Sequence, residues 1–188
     1  MLGQALSFLL DALVQPFAAV LLFRFHAVWL QVPMRNPIGE FVMAITDFIV
    51  LRARRFVPRL RGLDSATLLL AFMVEFIYLG TSLWVQGYPF NGFPLAGLLV
   101  WTAVKLLKIS IYLLIVTLLA EAILSWVNPR TPFAPMLFAV NRPFLQPLRR
   151  RIPPVGNVDL SVLILFIICQ LILIVPVGGL EQAALSLL

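Results

Sequence analysis

Four side chains sit where charge and hydrogen bonding are expensive. Arg24, Glu75, Glu121 and Gln170 all fall inside long apolar runs. A charge placed in hydrocarbon must be paired, or must serve a path for ions or protons. Glu75 follows Asp64 by eleven residues, about 16 Å along a helix, which sets it near the middle of a bilayer. Gln170 follows Asp159 by the same eleven residues. Arg24 and Glu121 precede Trp29 and Trp126 by the same five residues, so they share one depth on different runs. This spacing predicts an Arg24–Glu121 ion pair, with Glu75 and Gln170 completing one polar cluster. Two chemistries fit such a cluster: hydrogen-bonded glue between helices, or a route for ions or protons.

The other reactive residue types are sparse. His26 is the one histidine and Cys169 the one cysteine, which excludes an internal disulfide and argues against a metal site within one chain. Lys105 and Lys108 lie about 20 Å or more from Glu121 along the same run, too far to pair with it. They are expected to snorkel to the nearer headgroups. There is no glycine-rich phosphate loop and no G-x-S-x-G nucleophile turn. The expectation is a non-enzymatic protein without a cofactor.

A second set of candidates lies between the apolar runs. The stretch FLQPLRRRIPPVGNVDLS holds Pro147, Arg149, Arg150, Arg151, Pro153, Gly156 and Asp159. A weaker copy holds Arg54, Arg55, Pro58 and Asp64. An aspartate at the start of a helix accepts from free backbone N–H groups and suits the positive helix end. Each aspartate also follows arginines with which it can pair. Asn36-Pro37 reads as the cap and first turn of a helix over 38–54, with Ile38, Phe41, Val42, Ile45, Phe48 and Ile49 on its apolar side. Glu40, Asp47 and Arg54 line the other side. The counterpart at 133–148 contains Pro135, Pro143 and Pro147, so it is expected to be helical only in short pieces.

These residues need a membrane-sized frame, and the composition supplies one. The 188 residues are 62% hydrophobic and 12% charged, with mean hydropathy +1.03, too apolar for a soluble domain. Runs at 6–31, 65–86, 94–127 and 159–180 each reach the ~20 residues that span a bilayer. The third is longer than needed: it tilts strongly, or its first part, 94–108, lies at the interface. The N-terminus shows no cleavable signal pattern and reads as a retained first span. Arginines crowd 33–63 and 128–158, while 86–94 carries no charge. The positive-inside rule then puts both arginine segments in the cytoplasm and both termini outside. A net charge of +6 beside apolar runs points to anionic lipid rather than nucleic acid.

The halves also align with each other. Arg54, Arg55, Pro58 and Asp64 match Arg149, Arg150, Pro153 and Asp159 at one constant offset, and Asn36-Pro37 matches Asn128-Pro129 across a small gap. The expected fold is therefore an all-α membrane protein of four transmembrane helices in two parallel pseudo-repeats. Repeat one covers 6–86 with an amphipathic interfacial segment at 36–61. Repeat two covers 94–180 with one at 128–156. A parallel repeat implies a pseudo-twofold axis along the membrane normal.

The second copy, Ser125-Trp126-Val127-Asn128-Pro129, Pro147-Leu148-Arg149-Arg150, Ile152-Pro153, Gly156 and Val158-Asp159, resembles the doubled motif of the YggT (YlmG-like) family of bacterial inner-membrane proteins. The first copy is a worn version of it. The resemblance implies a multi-span, non-enzymatic protein linked to osmotic stress, cell division or assembly of other membrane machinery. Its expected partners are anionic lipid and another membrane protein, with a homo-oligomer as a further possibility. A small ion transporter or channel component is the competing expectation.

Overall fold

The computed structural model describes residues 2–58, 62–88, 94–128, 130–152 and 159–188. The chain enters through α1, Leu2–Trp29, which carries Pro16 within it. It ends in a left-handed residue, Gln31 at φ 54°, and the Val32 N–H returns to the Ala27 carbonyl at 2.8 Å. That closure satisfies the last carbonyls and turns the chain sharply.

α2, Pro37–Ala53, starts as expected: Asn36 Oδ1 accepts from the Gly39 N–H at 3.0 Å, and Pro37 takes the first turn. Gly39 is required by a close approach, since a Cβ there would stand 2.2 Å from the Met34 carbonyl oxygen. The structure shows which side of α2 meets the bundle. Val42 is buried, but so are Gly39, Thr46 and Val50, while Phe41 and Phe48 are each 60% exposed. Asp47 and Arg54 instead turn toward the bundle. The bundle holds its own buried charges, Arg24 and Asp64, and these draw in the polar side of α2 while the phenylalanines face outward.

α3, Ser65–Val85, runs antiparallel to α1. Tyr78 reaches Asp11, Gln15 reaches Glu75, and Val85 lies against Gly3. α4, Leu95–Val127, is one unbroken helix of 33 residues, about 50 Å long. Its first third does not lie apart on the interface. Leu98 packs with Leu79 and Leu83 of α3, and Gly97 sits so close to Leu187 that a Cβ would meet its carbonyl oxygen at 2.7 Å. Farther along, Leu118 and Ile115 pack with Leu145, Leu165 and Cys169.

α5, Ala134–Arg149, is continuous, which corrects the expectation of short helical pieces. Pro135 lies in the first turn, where the missing N–H is no loss. Pro143 and Pro147 are one turn apart and both exposed. Their rings and the carbonyls they leave unbonded thus share a solvent- or headgroup-facing side, where other donors satisfy them. The last span is also longer than expected. α6, Leu160–Ile172, passes through a π-helical turn at Leu173–Val177 into α7, Gly178–Leu185. Pro176 lies in that turn, whose wider spacing accommodates its ring without breaking the helix.

Four helical stretches are long and apolar enough to cross a membrane: Gly3–Trp29, Ser65–Val85, Leu95–Val127 and Leu160–Leu185. Their outer surfaces expose Leu13, Ile77, Val116 and Ile174, each above 60%. Such a surface is unfavourable in water and matched to lipid. Gly3 lies by Val85 and Leu187 by Gly97, so both described chain ends occupy the same end of the bundle.

Candidate functional site

Arg24 and Glu121 do not meet. Arg24 is fully buried, and its guanidinium donates to Thr46 Oγ1 at 2.6 Å and pairs with Asp47 at 2.7 Å. Glu121 accepts from Asn141 Nδ2 at 2.7 Å and from Arg149 at 3.3 Å. Each of these two charges is therefore neutralised or bonded by the short helix that follows it in sequence. The equal depth inferred from Trp29 and Trp126 gave no information on direction around the helix, which decides partners.

The cluster is likewise dispersed. Glu75 is fully buried, Gln15 Nε2 lies 3.5 Å from its Oε1, and its Oε2 has no hydrogen-bond partner among the described residues. No hydrogen bond or ion pair among the described residues joins Gln170 to Arg24, Glu75 or Glu121. Lys108 does not reach for headgroups: it pairs with Glu181 at 2.6 Å across α4 and α7. His26 donates through Nδ1 to the Leu22 carbonyl at 2.7 Å and rests against Phe25 and Trp29.

The aspartates that open α3 and α6 are held by arginines ten residues earlier. Arg54 grips both oxygens of Asp64, whose Oδ2 also accepts from the Thr67 hydroxyl at 2.6 Å. Arg149 donates through Nε to Asp159 at 2.6 Å while its Nη2 reaches Glu121. Asp159 also caps α6, accepting from the Ser161 N–H at 3.0 Å. Asp64 instead turns its oxygens to Arg54 and the Thr67 hydroxyl. Burial alone would raise both carboxyls, but the guanidinium and hydroxyl or amide donors outweigh it and hold both below the usual aspartate value. Burial opposes the charged form of Arg149 as well, and its two carboxylate partners more than compensate, keeping it fully protonated.

The rest of the motif divides simply. Asn36 and Pro37 form the α2 start, and Pro147 lies in the last turn of α5. Asn128 is exposed and accepts from the Arg130 N–H at 3.3 Å. Arg55 and Arg150 are exposed. Pro129, Pro153 and Gly156 lie outside the described residues. In all, Arg35, Arg52, Arg55, Arg130, Arg142, Arg150 and Arg151 are exposed, and none forms an ion pair among the described residues.

Thr46 and Asn141 were not singled out from the sequence, yet a signal existed. The offset of 95 that relates Asp64 to Asp159 also relates Thr46 to Asn141, the residues that bond Arg24 and Glu121.

Four apolar spans, braced by ion pairs to two short helices, define a multi-pass α-helical membrane protein. The CCB3/YggT family model matches residues 3–85 and 100–180. The Uncharacterized protein YggT of Escherichia coli strain K12 is 34% identical over 171 residues, covering 89% of this chain and 86% of that protein. A protein of Vibrio alginolyticus, named for its place in the proC 3' region, is 32% identical over 87% of this chain and 88% of its own. An uncharacterized protein of Pseudomonas aeruginosa is 28% identical over 91% and 87%. No solved structure matches. The chain belongs to the CCB3/YggT family.

Proposed function

We propose that this protein is a non-enzymatic scaffold of the bacterial inner membrane, which presents α2 and α5 in the headgroup plane to anionic lipid and to a membrane-protein partner. One observation carries the reading. Arg54 and Arg149 are spent on holding α2 and α5 to the spans, while Arg52, Arg55, Arg142, Arg150 and Arg151 stay exposed beside them. Clustered, unneutralised arginines next to spans suit anionic lipid and an acidic partner, and under the positive-inside rule they support a cytoplasmic face with both termini in the periplasm. The two units are read as equivalent, since Arg54–Asp64 and Arg149–Asp159 are the same pair at the same separation. An assembly or osmotic-stress role is consistent with a rigid platform of this kind. Purification from native membranes in mild detergent tests it. Specific partners should be recovered with the wild type and lost with Arg150→Glu/Arg151→Glu; recovery of none sinks the proposal.

A second reading, a component of an ion or proton path, draws on Glu75, buried with one oxygen unpartnered among the described residues. The dispersal of Arg24, Glu121 and Gln170 leaves it without a continuous route. Flux in liposomes that depends on Glu75 and vanishes in Glu75→Gln would favour it over the scaffold.

A further inference from the structure

The two units differ in charge where they are otherwise alike. In the first, Arg24 with Asp47 and Arg54 with Asp64 sum to zero. In the second, Arg149 faces both Glu121 and Asp159, which leaves one net negative charge. That excess is not sealed away. Glu121 lines two clefts, one on each side of α4 near its Trp126 end.

The first cleft, of about 540 Å³, has Glu121, Arg149 and Asp159 at its polar end. Its remaining wall includes Leu119, Leu163 and Phe166. Leu119 and Leu163 are 45% and 55% exposed on the outer faces of two spans, so the cleft opens sideways into the acyl region. The second cleft, of about 470 Å³, joins Glu121 to exposed Arg130 and to Thr131. A ligand in the first cleft meets carboxylates at its polar end and an apolar slope running into the membrane. A soluble ion has no use for the slope. A peptide segment would have to approach from within the bilayer.

We propose that the first cleft binds a phospholipid whose headgroup carries a primary ammonium, such as phosphatidylethanolamine. The ammonium lies against Glu121 and Asp159, and an acyl chain along Leu119, Leu163 and Phe166. Three N–H donors on a compact ammonium satisfy carboxylates already shared with Arg149, which a trimethylated headgroup cannot do. Hydrogen bonds to charged groups are strong enough to give about tenfold discrimination. The site is independent of which protein partner the scaffold recruits.

The test uses the full chain in mild detergent, offered equimolar phosphatidylethanolamine, phosphatidylcholine and phosphatidylglycerol with the same acyl chains. Native mass spectrometry reads the bound lipid. Phosphatidylethanolamine adducts should exceed phosphatidylcholine adducts about tenfold. Glu121→Gln should bring these two to parity, and Leu163→Trp, which fills the cleft without touching charge, should remove the phosphatidylethanolamine adduct. Glu75→Gln should keep the preference. Phosphatidylglycerol held by the exposed arginines should be unchanged by either cleft variant. Equal retention of phosphatidylethanolamine and phosphatidylcholine by the wild type overturns the proposal. So does a preference that survives Glu121→Gln or an adduct that survives Leu163→Trp. The headgroup comparison uses unaltered protein, so a variant that fails to fold does not blunt it. Loss of lipid preference with intact partner recovery leaves the scaffold standing.

Discussion

At the scale of single residues, the charges in this protein are not equivalent. Arg24 is completely buried, whereas its partner Asp47 keeps 38% of its side chain exposed. Removing Asp47 strands a guanidinium with one hydroxyl for company; removing Arg24 leaves a carboxylate that water can reach. Asp47→Asn should therefore destabilise by about 3 kcal/mol, and Arg24→Met by clearly less, read by thermal unfolding in detergent. Equal losses would contradict this asymmetry. Acid acts on Asp64 and Asp159 with a definite sign. Both are depressed in the folded protein, so their contribution is present above the ordinary aspartate value and fades as pH falls through the lower, folded one. Melting temperature should thus hold through mildly acidic pH and drop below about pH 4. Asp64→Asn should lower the plateau and flatten the drop; an unchanged profile would argue against the latch.

Among the elements, the short helices show what a sequence conveys and what it omits. The start of α2 was legible because Asn36-Pro37 is a local device, complete within four residues. Which side of α2 faces inward was not legible, because that depends on Arg24 and Asp64 from other elements. Continuity of α5 was hidden for a related reason: Pro143 and Pro147 forbid a helix in isolation, but both happen to face outward. The spans themselves were plain from hydropathy, and the last one continues through the π-turn around Pro176 to Leu185, beyond its expected end at 180. The tight entry to α2 gives a further expectation. Gly39→Ala forces a methyl against the Met34 carbonyl, so the helix start must shift, at a cost of about 1–3 kcal/mol. Faster amide exchange in the first turns of α2 would register it; exchange identical to wild type would mean the turn yields freely.

For the whole molecule, orientation in the bilayer is the decisive variable. Both chain ends share one end of the bundle, opposite the arginine-bearing helices. With the arginines in the cytoplasm, Ser186→Cys should react with an impermeant maleimide in intact cells, and Arg151→Cys only after permeabilisation. Cys169 is 3% exposed and should stay silent in both. The reverse labelling pattern would invert the topology and with it the scaffold reading. The candidate site was half visible at this scale. Every residue of the two latches was named from sequence, but the Arg24–Glu121 pairing failed because depth along an axis says nothing about rotation about it.

The ten-residue reach of each latch also bears on how the chain is built. Arg54–Asp64 and Arg149–Asp159 close loops short enough to form within about a tenth of a microsecond, far faster than the seconds a ribosome takes to deliver the next span. Arg24 likewise finds Asp47 in a helix made immediately afterwards. Every charged bond of the first unit is thus available before the second unit exists. The order of synthesis is then expected to be the order of assembly, with α4, packed against α1, α3, α5 and α6, arriving after the ion pairs of α1–α3 can form.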